Sequence, residues 1–280
     1  MLATLTDVLR YAELNKCAIG SFNTPNAATI QAVVGAAEEQ NLPVVIMHAQ
    51  VHEEMGVCEL DDIAPLMLHY AKNATVPVCV HLDHGTDLDY VAKALKLGFT
   101  SVMYDGSALS EKENLTNTLA ARVMSKMYGA SLEAEIGSMG AREGAATAGP
   151  ADTSIYTNPE DAKWFAEATG VDALACAFGT AHGVYLKKPQ LDFPRLAKIQ
   201  SLVKVPLVMH GGSGVSEEDY KKAISLGIRK INYYTYMTKA GGAAVAAMKD
   251  KSFYHDMENV AIEAMMQDAT RAVRFFALKD

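Results

Sequence analysis

A chain of 280 residues, 50% hydrophobic and 21% charged, is long enough for one or two globular domains and too apolar to stay disordered. Its 25 basic and 33 acidic side chains leave a net charge of −8 with no basic cluster. This excludes a general nucleic-acid surface, so any anion must be held locally by backbone amides, a metal or a few cations.

The chain opens on an amphipathic helix, Thr4–Asn15, rather than a signal peptide. Short apolar runs then read as strands at Cys17–Phe22, Pro43–His48, Val76–Leu82, Ser101–Tyr104, Ser131–Glu135, Val171–Phe178, Val205–Met209 and Arg229–Asn232. Stretches with 3.6-residue period follow them at Ala27–Gln40, Asp61–Asn73, Leu88–Leu97, Glu111–Tyr128, Pro159–Thr169, Phe193–Leu202, Glu217–Leu226 and Thr235–Lys249. Asp256–Lys279 reads as an extra C-terminal helix. Gly98, Gly129, Gly170 and Gly227 each follow a helical stretch and suit a left-handed cap. Eight strand–helix repeats predict an α/β fold, a (β/α)8 TIM barrel forming a single domain over 1–280, with Thr4–Asn15 capping its bottom. A doubly wound open sheet fits less well, because no Gly-x-Gly-x-x-Gly follows the first strand. The connection Ile136–Asn158, rich in Gly, Ala, Ser and Thr, is long enough to be a lid on the catalytic face. No stretch nears the ~18 apolar residues of a membrane span, and the four cysteines form no Cys-x-x-Cys pair. A reducing cytoplasm is the default location.

In a barrel the informative residues sit where strands end. Strand three ends in His81-Leu82-Asp83-His84-Gly85, strand six runs into Gly179-Thr180-Ala181-His182-Gly183, and strand seven ends in His210-Gly211-Gly212-Ser213-Gly214. His84, His182 and His210, each followed by glycine at one rim, have the makings of a catalytic zinc site with an open position. Asp83 either shuttles a proton beside the metal or orients a ligand imidazole. Asp105 and Glu135, at the ends of strands four and five, either bind a second metal position or hydrogen-bond the ligands. The Gly211–Gly214 loop, with Ser213 and a helix starting near Ser216, suits an anion, and strand eight adds Asn232-Tyr233-Tyr234-Thr235; this rim is the usual phosphate seat of such barrels. Metal plus phosphate seat points to Lewis-acid chemistry on a phosphorylated carbonyl compound, with Glu143 or Asp152 of the lid available as a second acid.

These motifs, with Glu135-Ile136-Gly137 running to Glu143 and Lys230-Ile231-Asn232 with Thr235, resemble those of the class II, metal-dependent ketose-bisphosphate aldolases over nearly the whole chain. The resemblance implies Zn2+ on His84, His182 and His210, with Asp105 and Glu135 where a second or displaced metal sits. It implies Asp83 as acid/base at the C4 hydroxyl and Glu143 at the C3 proton. It implies Gly183, Gly211, Gly212, Ser213, Asn232 and Thr235 around the phosphate of dihydroxyacetone phosphate, and a monovalent cation, Na+ or K+, nearby. Substrate would be a small phosphorylated sugar, assembly a homodimer or homotetramer, and neither nucleic acid nor membrane a partner.

Four stretches depart from the family pattern: His48-Ala49-Gln50 where a small hydroxyl residue is frequent, Ala141-Arg142 where a second glycine commonly follows Gly140, bulky Tyr233 and Tyr234, and His255-Asp256-Met257 in place of Asp-Pro-Arg. They suggest an altered aldehyde side, read by Arg142, His48 or His52. A Schiff-base aldolase needs an interior lysine, which Val171–Phe178 lacks. A metal-dependent hydrolase or epimerase lacks its His-x-His, and a non-catalytic companion subunit would have shed the ligands.

Overall fold

The computed structural model describes residues 1–137, 146–147, 155–181, 184–185, 188–249 and 253–279. Eight parallel strands close on themselves: β2 (Ile19–Asn23), β3 (Val44–Ala49), β4 (Val78–Gly85), β5 (Ser101–Tyr104), β6 (Ser131–Ile136), β8 (Ala173–Cys176), β10 (Leu207–Met209) and β11 (Ile228–Tyr233). The expected (β/α)8 barrel is what forms. Between the strands run α2 (Ala27–Gln40), α4 (Leu60–Asn73), α5 (Leu88–Leu97), α6 (Glu111–Met127), α7 (Pro159–Thr169), α8 (Phe193–Leu202), α9 (Glu217–Ser225) and α10 (Thr235–Ala247), and α11 (Tyr254–Phe276) follows. Gly98 and Gly170 cap α5 and α7 in left-handed geometry as expected. No helix among the described residues is long and apolar enough to cross a membrane.

The interior is filled in two levels. At the bottom, Leu5, Val8, Leu9 and Ala12 of α1 (Leu5–Asn15) meet Ile19, Val45, Met47, Cys79, Ala173, Ala175 and Val208. Thr4 starts that helix with a capping box to Asp7. Sealing the apolar end stabilises by about 1.5–3 kcal/mol for each large side chain buried. The outer faces of the strands bury a second apolar set against the helices.

Some boundaries differ from the sequence reading. β8 is only four residues long, because at Ala177 the chain bonds sideways to Thr157 instead of to a neighbouring strand. Among the short elements not foreseen are β1 (Leu2–Ala3), paired with Val78 and Cys79, and α3 (Gln50–Glu54) after β3. Neither is long enough to show a period. Within the connection expected to be a lid, β7 (Ala146–Thr147) pairs in parallel with β9 (Val184–Tyr185).

Candidate active site

The C-terminal rim gathers its polar residues through one irregularity. A strand alternates faces, so adjacent Asp83 and His84 should point opposite ways. In the β4–β5 pairing the register slips between Leu82 and Gly85, and His84 takes a left-handed backbone, φ 47°. Such a bulge re-aims side chains beside active sites, and a non-glycine residue in that region costs of order 1–3 kcal/mol. Gly85 follows because a Cβ there would lie 2.8 Å from the Met103 carbonyl oxygen.

His84 and His210 then stand edge to face, centroids 4.6 Å apart. His84 Nδ1 lies 2.7 Å from Asp105 Oδ2, and its Nε2 is 3.9 Å from Asp83 Oδ1. His210 Nε2 meets Glu133 Oε1 at 2.9 Å and Nδ1 meets Glu135 Oε2 at 3.0 Å. Donor atoms of Asp83, His84 and His210 fall within 4.8 Å of one another, as do those of His84, Asp105 and Glu135.

The charges are strongly coupled. Burial opposes a charge on His84, but Asp83 and Asp105 overcome it and hold its proton affinity well above the ordinary value. Burial and His84 work against His210, while Glu133 and Glu135 raise it. Burial would also raise Asp83, yet His84, Lys230 and the Asn23 amide hold it well below the carboxylate range. Glu135 is pushed up by burial and by Asp105. Two imidazoles among four carboxylates form a donor set that a divalent cation would neutralise. Ligand atoms of one tetrahedral ion lie roughly 3.4 Å apart, given metal–ligand bonds of about 2.0–2.2 Å. Donor atoms of Asp83, His84 and His210 within 4.8 Å of one another lie close enough for a single ion to draw them together, so the residues fit a divalent metal.

Asp83 is clamped on both oxygens. Asn23 Nδ2 donates to Oδ2 at 2.9 Å and Asn232 Nδ2 to Oδ1 at 3.0 Å. Amide donors favour the anion, which suits a base. Beside it, the Gly211–Gly214 loop crosses close to other backbone. Gly211 has φ 60° and leaves no room for a Cβ against Ala181, while a Cβ on Gly212 would meet Asn232 O at 2.7 Å. The Gly212 N–H donates to the Asn232 carbonyl, and Ser213 Oγ accepts the Tyr234 N–H at 3.0 Å. Thr235 opens α10, and the side chain of its N-cap residue, Tyr234, makes no capping bond to it. An anion-receptive helix end thus lies beside the loop.

With that geometry in hand, comparison is decisive: the model of the class II fructose-bisphosphate aldolases matches residues 3–280. The chain belongs to this family. Among curated relatives, the sulfofructosephosphate aldolase of Alkalicoccus urumqiensis is 41% identical over 92% of the chain and 90% of its own length. The fructose-bisphosphate aldolase of Thermus caldophilus is 39% identical over 88% and 87%. The YdjI aldolase of Escherichia coli K12 superposes with TM-score 0.88 at 36% identity, over 99% of this chain and 97% of that one. The protein is a carbon–carbon lyase of the class II type, a family acting on phosphorylated sugars.

In this aldolase Asp83, His84, Asp105, Glu135 and His210 come together as the sequence suggested. His182, Gly183, Glu143, Arg142 and Asp152 lie outside the described residues. The Asn232 side chain, expected at the phosphate, is committed to Asp83 and to Lys230. His48, expected to read the aldehyde, is a correction. It pairs in register with outward-facing Leu82 and bonds to Tyr90 OH at 2.8 Å, so strand alternation puts it behind the barrel wall. His52 packs on the Tyr234 ring at 5.2 Å. Sequence reasoning missed Asn23 and Glu133. For Glu133 the signal was present, since it lies two residues before Glu135 and so shares its inward face.

Proposed function

We propose that this aldolase reversibly cleaves a ketose phosphorylated on C1, of the fructose- or tagatose-1,6-bisphosphate type, to dihydroxyacetone phosphate and an aldehyde such as glyceraldehyde 3-phosphate. The observation that carries the reading is the meeting of His84, His210 and Asp83 beside the glycine loop. Zn2+ would be held by His84, His182 and His210, with Asp105 bonded to His84 and Glu135 3.0 Å from His210 Nδ1, where a second or displaced metal position would use it. When bound, the ion supplies Lewis acidity at the ketose carbonyl.

The protein's own groups do the rest. Asp83, anionic and held by two amides, takes the C4 hydroxyl proton in cleavage and returns it in condensation. Glu143 handles the C3 proton. Gly183, Gly211, Gly212, Ser213 and Thr235 surround the phosphate, with a monovalent cation alongside, while the Asn232 side chain holds Asp83. The assignment extends to one catalytic domain over 1–280, a homodimer or homotetramer, a cytoplasmic location and a place in glycolytic carbohydrate metabolism.

One observation favours a second reading, a non-standard aldehyde partner. Ala49, in register with Asp83 at the end of β3, is fully buried and carries no hydroxyl. The relative from Alkalicoccus urumqiensis is named for sulfofructose phosphate, so the aldehyde half differs among relatives. A Schiff-base route is disfavoured because Lys230, fully buried, is paired to Glu133 at 3.0 Å. The test is condensation of dihydroxyacetone phosphate with an aldehyde panel in the presence of zinc, product configuration being read by NMR. Turnover should vanish with EDTA and survive borohydride; full activity in metal-stripped protein sinks the reading.

A further inference from the structure

We propose that Glu133, backed by Lys230, is a positioning residue that fixes the tautomer of His210 so that its Nδ1 faces the metal. The inference rests on the metal reading above and adds a set of groups to it. Below the rim, Glu133, Lys230, His81 and Ser101 are fully buried inside the barrel. An aldolase whose chemistry lies one level higher has no direct use for them. Burying a carboxylate and an ammonium is costly unless each is matched, so their contacts deserve a physical account.

Glu133 Oε1 lies 2.9 Å from His210 Nε2. Charged, it can only accept, so Nε2 carries a proton, and Nδ1, on the side of Glu135 and His84, is left as the nitrogen that would give its lone pair to the metal. A carboxylate behind a ligand imidazole selects the tautomer and holds the ring plane in this way. Lys230 Nζ keeps Glu133 matched, 3.0 Å from Oε2 and 3.3 Å from Oε1. The same ammonium donates to Asn232 Oδ1 at 2.7 Å, and Asn232 Nδ2 donates to Asp83. Lys230 therefore sits at a fork, with one branch ending on a metal ligand and the other on the acid/base. His81 closes the far side, its Nδ1 2.7 Å from Ser101 Oγ and its Nε2 3.7 Å from Glu133 Oε2. Three strands thus orient one imidazole through a single carboxylate.

The test separates this claim from the one beneath it. Wild-type protein should take up one zinc ion and His84→Ala should not; failure there overturns the metal reading itself. Zinc affinity is then measured by competition with a chromophoric chelator. Glu133→Gln alone would strand Lys230, so it is combined with Lys230→Met, and Glu133→Asp serves as a charge-keeping variant whose carboxylate is drawn back. Both should bind zinc ten- to a hundredfold more weakly, with metal-free melting temperatures close to wild type. Side-chain 15N spectra of zinc-loaded wild type give a readout that needs no variant. His210 should show a protonated Nε2 and a metal-shifted Nδ1. The opposite pattern, or undiminished zinc affinity in a folded variant, overturns the proposal.

Discussion

The lower and upper levels of the barrel interior are built from the same strands and obey opposite rules. Below, α1 drives Leu5, Val8 and Leu9 among aliphatic side chains. Above, Asp83, His84, Glu133, Glu135, His210 and Lys230 crowd together, with Asn23 and Asn232 bonded to Asp83 among them. The lower level resembles any well-packed core, stabilised by area removed from water. The upper level is an arrangement that costs stability, with buried charges and a left-handed histidine at a bulge. Function concentrates where packing alone would not have put these groups, and the apolar plug provides the surplus that tolerates them.

The sharpest way to break this division is to remove a group from each level. Asp83→Ala should lower ketose cleavage by 10²–10⁴-fold, the range for one general acid–base group, while zinc content stays at wild type. Single-turnover cleavage together with metal analysis reads both. Loss of zinc along with rate would make Asp83 a ligand first, and the division of labour at the rim would need redrawing.

Leu9→Ala probes the other level. The side chain is buried against the barrel bottom, and such truncations cost about 2–5 kcal/mol. Denaturant unfolding should show that loss, and kcat per folded molecule should stay unchanged. A large drop in kcat with little loss of stability would mean that the plug transmits to the rim.

The lower level was legible in the sequence and the upper one only in part. Alternation of strands and helices announced the barrel, since each element must bury one face and the repeats leave few ways to do it. The histidines at strand ends were visible because glycines follow them. The bulge was not, for a register slip between Leu82 and Gly85 has no composition of its own. Asn23 was hidden for a related reason: its partner, Asp83, is sixty positions away. His48 was misplaced by treating a strand end as though both faces opened on the site. Strand alternation, applied from Leu82, would have put it outside.

That outward histidine gives a third prediction. Burial, then neighbouring His52, lowers the His48 pKa from 6.5 to about 4, although Glu53 and Asp83 pull the other way. The folded state therefore binds its proton less readily than the unfolded chain. The stability this contributes is complete above pH 6.5 and is lost as pH falls toward 4. At one pKa unit per about 1.4 kcal/mol, the loss by pH 4.5 is roughly 2–3 kcal/mol. Urea unfolding at pH 7 and pH 4.5 should show His48→Gln escaping most of this decline. Equal acid sensitivity in variant and wild type would place the responsible groups elsewhere, with the rim carboxylates next in line.

The smallest expected effect lies at the junction of two rim loops. Ser213 Oγ accepts the Tyr234 N–H at 3.0 Å and so ties the glycine loop to the start of α10. Ser213→Ala leaves that amide without its partner in a part-buried place, a cost of about 1 kcal/mol. The loss falls on the loop proposed to grip the phosphate and leaves the contacts that hold Asp83 in place. KM for the ketose phosphate should therefore rise about fivefold, with kcat close to wild type. If kcat fell instead and KM held, phosphate binding would be coupled to the chemical step through α10, and the loop would belong with the catalytic level rather than beside it.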